Sequence, residues 1–264
     1  MSTEPRSTDP RDYQDIARSV VVMAKTFAVR DFVPDHSHPR DQLLYAISGA
    51  MRVRTGGEAW IVPPDRALYV PAKTIHSVEA CGRVEMRTLY ISPGAGRDLP
   101  GRLVAIEVSV LLRALVLALL EEPIDYDDAG RGGLLAQLIL HEIERARRLT
   151  LAIPMPRDAR LVRLCTALLA DPQRGETLEG WADIAGASPR TLTRLFHREV
   201  GLTFRAWRQR VRFHSALEAL VRGEPVQNVA HANGYASPSA FTAAFRKALG
   251  VAPSRLIATQ ERPE

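Results

Sequence analysis

Cysteine is scarce in this chain of 264 residues, which has only Cys81 and Cys165. The two lie far apart, with neither metal-knuckle nor redox-pair spacing, so a disulfide scaffold is excluded and a reducing cytoplasm is the expected compartment. No apolar run suffices for a membrane span. The longest, Val104–Leu120, is broken by Glu107, Ser109 and Arg113. The stretch from Met1 to Asp15 lacks an apolar core, which argues against a signal peptide. Lysine is nearly missing where positive charge gathers. Residues 157–264 hold 16 basic against 10 acidic residues, net +6, and 15 of the 16 are Arg. Residues 1–156 hold 19 against 20, net −1. The overall charge of +5 therefore belongs to the C-terminal part. Arg suits phosphate and base-edge contacts better than Lys. Charge alone does not separate that role from a solvated basic surface.

The apolar share of 46% and charged share of 25% indicate a globular chain, and the length allows two domains. Residues 1–18, rich in Pro, Asp, Ser and Arg, read as a flexible arm. Short strands are expected at 19–26, 42–48, 50–55, 58–62, 67–70, 77–80 and 83–90, punctuated by Pro, Gly and Asp turns such as Pro34-Asp35 and Gly56-Gly57. Such a series builds a sandwich or small barrel. Val104–Leu120 and Leu134–Arg148 carry helical periodicity. Pro154 and Pro156 then mark a linker, and from Arg160 onward the pattern is all helical. A fragment starting near Pro156 is expected to fold by itself.

Within that region a pattern occurs twice. The first copy runs from Ala182 through Gly186, Ser188-Pro189, Leu192 and Phe196 to Gly201. The second runs from Ala230 through Gly234, Ser237-Pro238, Phe241 and Phe245 to Gly250. From Ser188 and Ser237 onward the offset is 49 residues. Each feature has a mechanical reason. A small Ala lets a second helix cross closely, and Gly permits the sharp turn. Ser followed by Pro caps and starts the next helix. The i,i+4 apolar pairs face inward, and the final Gly stops the helix. Two matched copies predict paired helix-turn-helix units. Thr203–Arg222 between them reads as an amphipathic spacer helix, with Phe204, Trp207, Val211, Ala216, Leu217 and Leu220 inward and Arg205, Arg208, Arg210 and Arg212 mostly elsewhere.

The stretch from Asn228 to Gly250, followed by Ala252-Pro253-Ser254, is close to the signature of the AraC/XylS family of bacterial transcription regulators. The resemblance covers about Arg160 to Ile257. It implies a sequence-specific DNA-binding regulator, with RNA polymerase as a further partner, and the family name favours activation. On the first reading helix Leu192, Leu195, Phe196 and Val200 are expected to face the core, leaving Arg190, Thr191, Thr193, Arg194, His197 and Arg198 exposed. Arg190, Thr193 and Arg194 lie toward the end that enters the groove, where Arg pairs with guanine. They also match the family's base-reading positions. On the second reading helix the corresponding residues are Ser239, Thr242 and Ala243, with Arg246 and Lys247 behind, better placed for phosphate. The first unit is therefore expected to carry most of the specificity and the second to anchor.

His36, His38, Gln42 and Gly49, followed by Pro71 and His76, resemble in spacing the two motifs of the cupin superfamily. That resemblance implies a small barrel acting as a sensory domain, with a metal among its histidines. His at i and i+2 share one side of a strand, and His76 is expected from a neighbouring strand. The sequence departs from the pattern at three points. Gln42 stands where a metal-binding cupin usually has Glu, and Asp65 and Lys73 stand where the second motif usually has Gly. Neutral Gln is a poor ligand. Three imidazoles can still hold Zn²⁺ or Ni²⁺ with an open position, and that binding is expected to fade below about pH 6. The alternative, that the histidines line an effector pocket without metal, stays open, and no cofactor is required.

The expected fold is thus a two-domain α+β chain: an N-terminal cupin-like β-barrel with helices and a C-terminal all-α domain with two helix-turn-helix units. Its segments are 1–18 (arm), 19–100 (effector domain), 101–150 (helical linker and dimerisation segment) and 157–258 (DNA-binding domain). Leu134, Leu135, Leu138, Ile139, Glu142 and Ile143 form the candidate homodimer stripe, the alternative being packing on the chain's own barrel. Expected partners are double-stranded DNA and a small-molecule or metal effector, with no membrane. A binding protein rather than an enzyme is expected. The rival reading, a metal-dependent cupin enzyme carrying a DNA-binding tail, is weakened by Gln42 and by the lack of a second acid/base constellation. A purely architectural DNA protein does not need so elaborate an N-terminal half.

Overall fold

The computed structural model describes residues 6–149, 152–250 and 252–258. The chain divides into two compact units, 1–55 with 61–151, and 56–60 with 152–264. In chain order the strands are β1 (Val20–Phe27), β2 (Phe32–His36), β3 (Asp41–Ser48), β4 (Met51–Thr55), β5 (Glu58–Val62), β6 (Arg66–Val70), β7 (His76–Ala80), β8 (Val84–Ile91), β9 (Val104–Glu107), β10 (Arg148–Leu149) and β11 (Ala152–Pro154). The helices are α1 (Val110–Glu121), α2 (Arg131–Arg145), α3 (Ala159–Ala170), α4 (Leu178–Ala185), α5 (Pro189–Val200), α6 (Phe204–Val221), α7 (Val226–Ala232), α8 (Pro238–Leu249) and α9 (Pro253–Ala258).

In the first unit one antiparallel sheet runs in the order β1-β8-β3-β6-β9-β10. Every second residue, including Val20, Val22, Leu43, Tyr45, Leu89 and Ile91, packs against α1 and α2 through Leu112, Val116, Ile139 and Ile143. The alternate residues Gln42, Leu44, Thr88 and Tyr90 are also buried, on the opposite face. A second sheet places β7 between β2 and β4, antiparallel to both. Gly49 makes the turn from β3 to β4 at φ +74, and a Cβ there would sit 2.1 Å from the Arg83 carbonyl oxygen. The motif's Gly is therefore required by both backbone and space.

Four local expectations are corrected. First, β2 was hidden by the turn reading of Pro34-Asp35. It is an edge strand whose register shifts between Val33 and His36, a place where Pro is tolerated. Second, Val104–Glu107 is strand β9, paired with β6, instead of the start of a helix. The helix begins only after Ser109, whose hydroxyl accepts the Leu112 N–H at 3.0 Å. Third, the supposed arm is packed from residue 6 onward, while residues 1–5 lie outside the described ones. Tyr13 is fully buried, and its hydroxyl donates to the Ser7 carbonyl at 2.6 Å. The buried Arg40 guanidinium donates to the carbonyls of Ile16 and Arg18 and to Ser92 Oγ. Fourth, the linker prolines do not leave a free segment. β11 pairs with Glu58–Trp60, Ile153 is buried among the C-terminal helices, and the Trp207 indole donates to the Pro154 carbonyl at 2.8 Å.

In the second unit α3, α4 and α5 close one core around Trp181, Leu192, Phe196 and Trp207. The spacer helix α6 has Thr203 and Arg222 as its caps, within a residue of the expected bounds.

Two outcomes follow. Asp65 and Lys73 both adopt left-handed backbone, φ 62 each. That costs a non-Gly residue about 1–2 kcal/mol, against about 0.5–1 kcal/mol of extra chain entropy for Gly. Lys73→Gly should therefore stabilise the protein by about 0.5–1 kcal/mol in urea titration, and a loss of stability would show that the Lys73 side chain offsets its strain. A fragment beginning at Ala152 should also melt above one beginning at Pro156. The shorter fragment leaves a buried indole N–H unpaired, a cost of about 1–3 kcal/mol. Equal melting temperatures would show that β11 contributes nothing.

Candidate functional site

The candidate DNA-facing helices are set by two similar turns. Gly186 ends α4 at φ 67, and Gly234 follows α7 at φ 78. Both α5 and α8 begin with Ser-Pro, the Ser hydroxyls accepting the backbone N–H of Thr191 at 3.3 Å and of Ala240 at 3.2 Å. Both end at a left-handed Gly, Gly201 and Gly250. Leu192, Leu195, Phe196 and Val200 are buried, as are Phe241, Phe245 and Leu249.

The outward residues differ in how free they are. Arg190, Thr193, Arg194, His197 and Arg198 are exposed on α5. Arg190 and Arg194 pair with no acid among the described residues. Thr193 is partly committed, its hydroxyl donating to the Pro189 carbonyl at 2.9 Å. Thr191 is half-buried, with its hydroxyl 3.0 Å from Ser188 Oγ, so it serves the cap. Arg198 reaches Glu199 at 3.2 Å, a carboxylate that also accepts the N–H groups of Arg157 and Asp158. On α8, Ser239 is exposed with its hydroxyl 3.0 Å from Ser237 Oγ, Thr242 is half-buried, and Arg246 and Lys247 are exposed. Two uncommitted guanidiniums thus stand near the start of α5, while α8 carries its cations in its last turn.

The first unit holds the imidazole cluster. His36 ends β2 and pairs in register with His76 at the start of β7. His38 lies just beyond the strand and is held in place by backbone, its carbonyl accepting the Lys73 N–H at 2.7 Å. Lys73 is thus strained where it locks a histidine. One ring nitrogen from each of His36, His38 and His76 lies within 4.8 Å of the others. His36 Nδ1 lies 2.8 Å from the Pro34 carbonyl and His76 Nδ1 lies 2.9 Å from that of Thr74, so each Nδ1 donates there, and in the neutral ring Nε2 carries the lone pair. Buried Nε2 atoms of His38 and His76 have no hydrogen-bond partner among the described residues. Burial lowers the pKa of both, reinforced at His38 by the neighbouring imidazoles, which bring it to about 4. Both are therefore neutral, as ligands must be.

Gln42 is connected to this cluster through Tyr90. The Tyr90 ring packs edge-on against His38, with centroids 5.0 Å apart. Gln42 Nε2 donates to Thr88 Oγ1 at 3.0 Å and to the Tyr90 hydroxyl at 3.4 Å, while its Oε1 is buried without a partner among the described residues. Thr88 and Tyr90 were missed by sequence reasoning. Their signal was period-2 alternation, which puts them on one face, but only the β3–β8 register brings that face to Gln42. Among the described residues no carboxylate joins the three histidines. The convergent ring nitrogens of the three histidines fit a divalent cation or a hydrogen-bonding ligand. No helix among the described residues is long and apolar enough to cross a membrane.

Comparisons with known proteins agree with both halves. Residues 181–259 match the helix-turn-helix domain family and residues 25–92 match the cupin domain family. The HTH-type transcriptional regulator NimR of Escherichia coli is 32% identical over 225 residues, which are 85% of this chain and 82% of that protein. The HTH-type transcriptional regulator RipA of Corynebacterium glutamicum is 36% identical over 108 residues, 41% of this chain and 32% of that protein. The tetracenomycin polyketide synthase protein TcmJ of Streptomyces glaucescens is 40% identical over 67 residues, 25% of this chain and 45% of that protein. With two matched helix-turn-helix units behind a histidine-bearing cupin half, and a relative aligned over most of both lengths, the chain belongs to the AraC family of transcriptional regulators.

Proposed function

We propose that the chain reads its operator chiefly through α5, with Arg190 and Arg194 on base edges and Thr193 beside them, while Arg246 and Lys247 of α8 hold phosphate. The observation that carries this reading is the pair of uncommitted guanidiniums near a capped helix start. A groove-inserted helix presents that end to the bases, and guanidinium matches guanine O6 and N7. Arg194→Ala should weaken specific binding by about 1–3 kcal/mol and relax preference at one position. Equal losses on specific and random DNA would make it a phosphate contact instead. Lys247→Ala should weaken binding to all sequences alike and make the salt dependence shallower by about one unit. An unchanged slope rules out the phosphate role.

The cupin half is read as the sensor, working by binding rather than turnover. Its histidines are read as holding Zn²⁺ or Ni²⁺ through Nε2, with Gln42 Oε1 turned toward the same space. Such an ion supplies a Lewis-acidic open position for an effector. The chain's own contribution is to orient the His36 and His76 rings through the Pro34 and Thr74 carbonyls and to keep His38 and His76 neutral by burial. A second copy is read as covering Leu134 and Leu138, which are 59% and 49% exposed on α2, whereas Ile139 and Ile143 of the same stripe serve the chain's own core. RNA polymerase and a cytoplasmic setting complete the reading. Elemental analysis of chelator-free protein should find metal approaching one per chain, lost in His36→Ala/His38→Ala, with DNA binding retained. Metal-free wild type whose melting temperature ignores added Zn²⁺ would reassign the histidines as pocket lining.

A further inference from the structure

The helical unit contains a groove of about 660 Å³ that neither reading helix accounts for. Thr177 and Leu178, at the start of α4, form one wall. Asn233, Gly234 and Tyr235, with Ala244 of α8, form the other. The first half of α6 makes the floor, so both halves of the repeat border the same space.

Arg205, Arg208 and Arg212 line this floor at i, i+3 and i+7, one face of the helix extending about 10 Å. None of the three forms an ion pair among the described residues, although the Glu176 carboxylate feels the Arg208 charge. Arg208 donates to the Glu176 carbonyl at 2.7 Å, and Arg212 to the Pro172 carbonyl at 3.1 Å. These are uncharged acceptors. The Glu176 carboxylate is paired with Arg174 at 2.5 Å. Arg205 is exposed and pairs with no acid among the described residues. The pKa of Arg212 is lowered, first by burial and then by the Arg208 charge beside it, as expected of crowded cations. Gln209, between them on the same face, donates to the Tyr235 hydroxyl at 3.2 Å.

The groove is open along one side, and a small ligand would stay largely in water there, whereas pockets for such ligands bury most of the ligand surface. The occupant that fits is a long polyanion lying across it. Two helices that enter successive windows of the major groove, about 34 Å apart, leave the strands bordering the intervening minor groove facing the protein between them. The geometry points to this sugar-phosphate backbone as the occupant: the spacer helix is itself a phosphate clamp, with Arg205 as the free contact and Arg208 and Arg212 as the charge behind it. This rests on the reading that α5 and α8 engage one duplex. The clamp adds affinity without base preference and sets the register in which the two helices meet their half-sites.

The test uses the full chain and a duplex selected by it from random sequence. Arg205→Ala should make the slope of log affinity against log salt shallower by about one unit, and Arg205→Glu by about two. Gln209→Lys, which adds a cation on the same face, should steepen it by about one unit. The ratio of specific to random binding should stay unchanged in all three. Ethylation of the phosphates between the half-sites should interfere with the wild type and not with Arg205→Ala. A wild-type footprint over one half-site overturns the two-helix reading and the clamp with it. A footprint over both half-sites, with slopes unchanged in the three variants, overturns the clamp alone.

Discussion

Two aromatic locks on α6 hold the DNA-binding unit together. The Trp207 ring centroid lies 6.0 Å from that of Phe196 on α5, and Phe213 lies 5.7 Å from Phe245 and 6.3 Å from Phe241 on α8. The two residues are six positions apart, about 9 Å along the helix. Helices α5 and α8 are therefore each fastened to a different level of one rigid rod. Their separation follows from helix geometry rather than from a loop. This explains why α6 is buried around most of its circumference, with Val211, Phe213, His214, Ala216, Leu217 and Leu220 all in the core. Arginine is also confined by this packing. Arg210 points back to the Ala152 carbonyl at 3.1 Å and Arg212 to that of Pro172, so they hold the rod in place while Arg190 and Arg194 stay free.

The cupin half follows a different logic, in which backbone register sets chemistry. Pairing of His36 with His76 across β2 and β7 brings two imidazoles together, and the irregularity beside Pro34 lets the edge strand bend so that His38 can join them. The carbonyls of Pro34 and Thr74 then orient the His36 and His76 rings. A metal held as proposed by the three histidines and Gln42 would have no carboxylate among its donors, because Gln42 stands in place of the usual acid. A cation held there would keep its full charge, which favours an anionic partner over water. Lys73, in left-handed backbone, anchors the His38 carbonyl, so strain sits beside the cluster, where a functional constraint can maintain it.

The legible features were local ones. Caps, stops and i,i+4 pairs of the repeat involve neighbours in sequence, and all appear at the expected residues. Period-2 runs located seven strands, because one buried face suffices to impose alternation. The failures share a cause. β2 contains Pro34, which is compatible with a strand only at an edge or bulge, and edge position is a property of the sheet. β9 is apolar in a run that also suits a helix, and its pairing with β6, some 40 residues away, decides between them. Tyr13 looked like part of a polar arm because its burial depends on partners such as Tyr90, at 6.0 Å.

From the sequence alone came the class of molecule: a repeated helix-turn-helix with arginine concentrated beside it, and a histidine spacing that resembles the cupin motifs, a resemblance that implies a sensor half. Those signals are short-range, and they depend on residue type more than on three-dimensional context. Tertiary structure alone decided which of the candidate polar groups are free. Among the described residues Thr191, Thr193, Arg198 and Ser239 have internal partners, Arg190 and Arg194 pair with no acid, and the imidazole Nε2 atoms of His38 and His76 have no hydrogen-bond partner. Whether a donor or acceptor is already satisfied depends on carbonyls and carboxylates brought in from distant parts of the chain, and no local pattern encodes that.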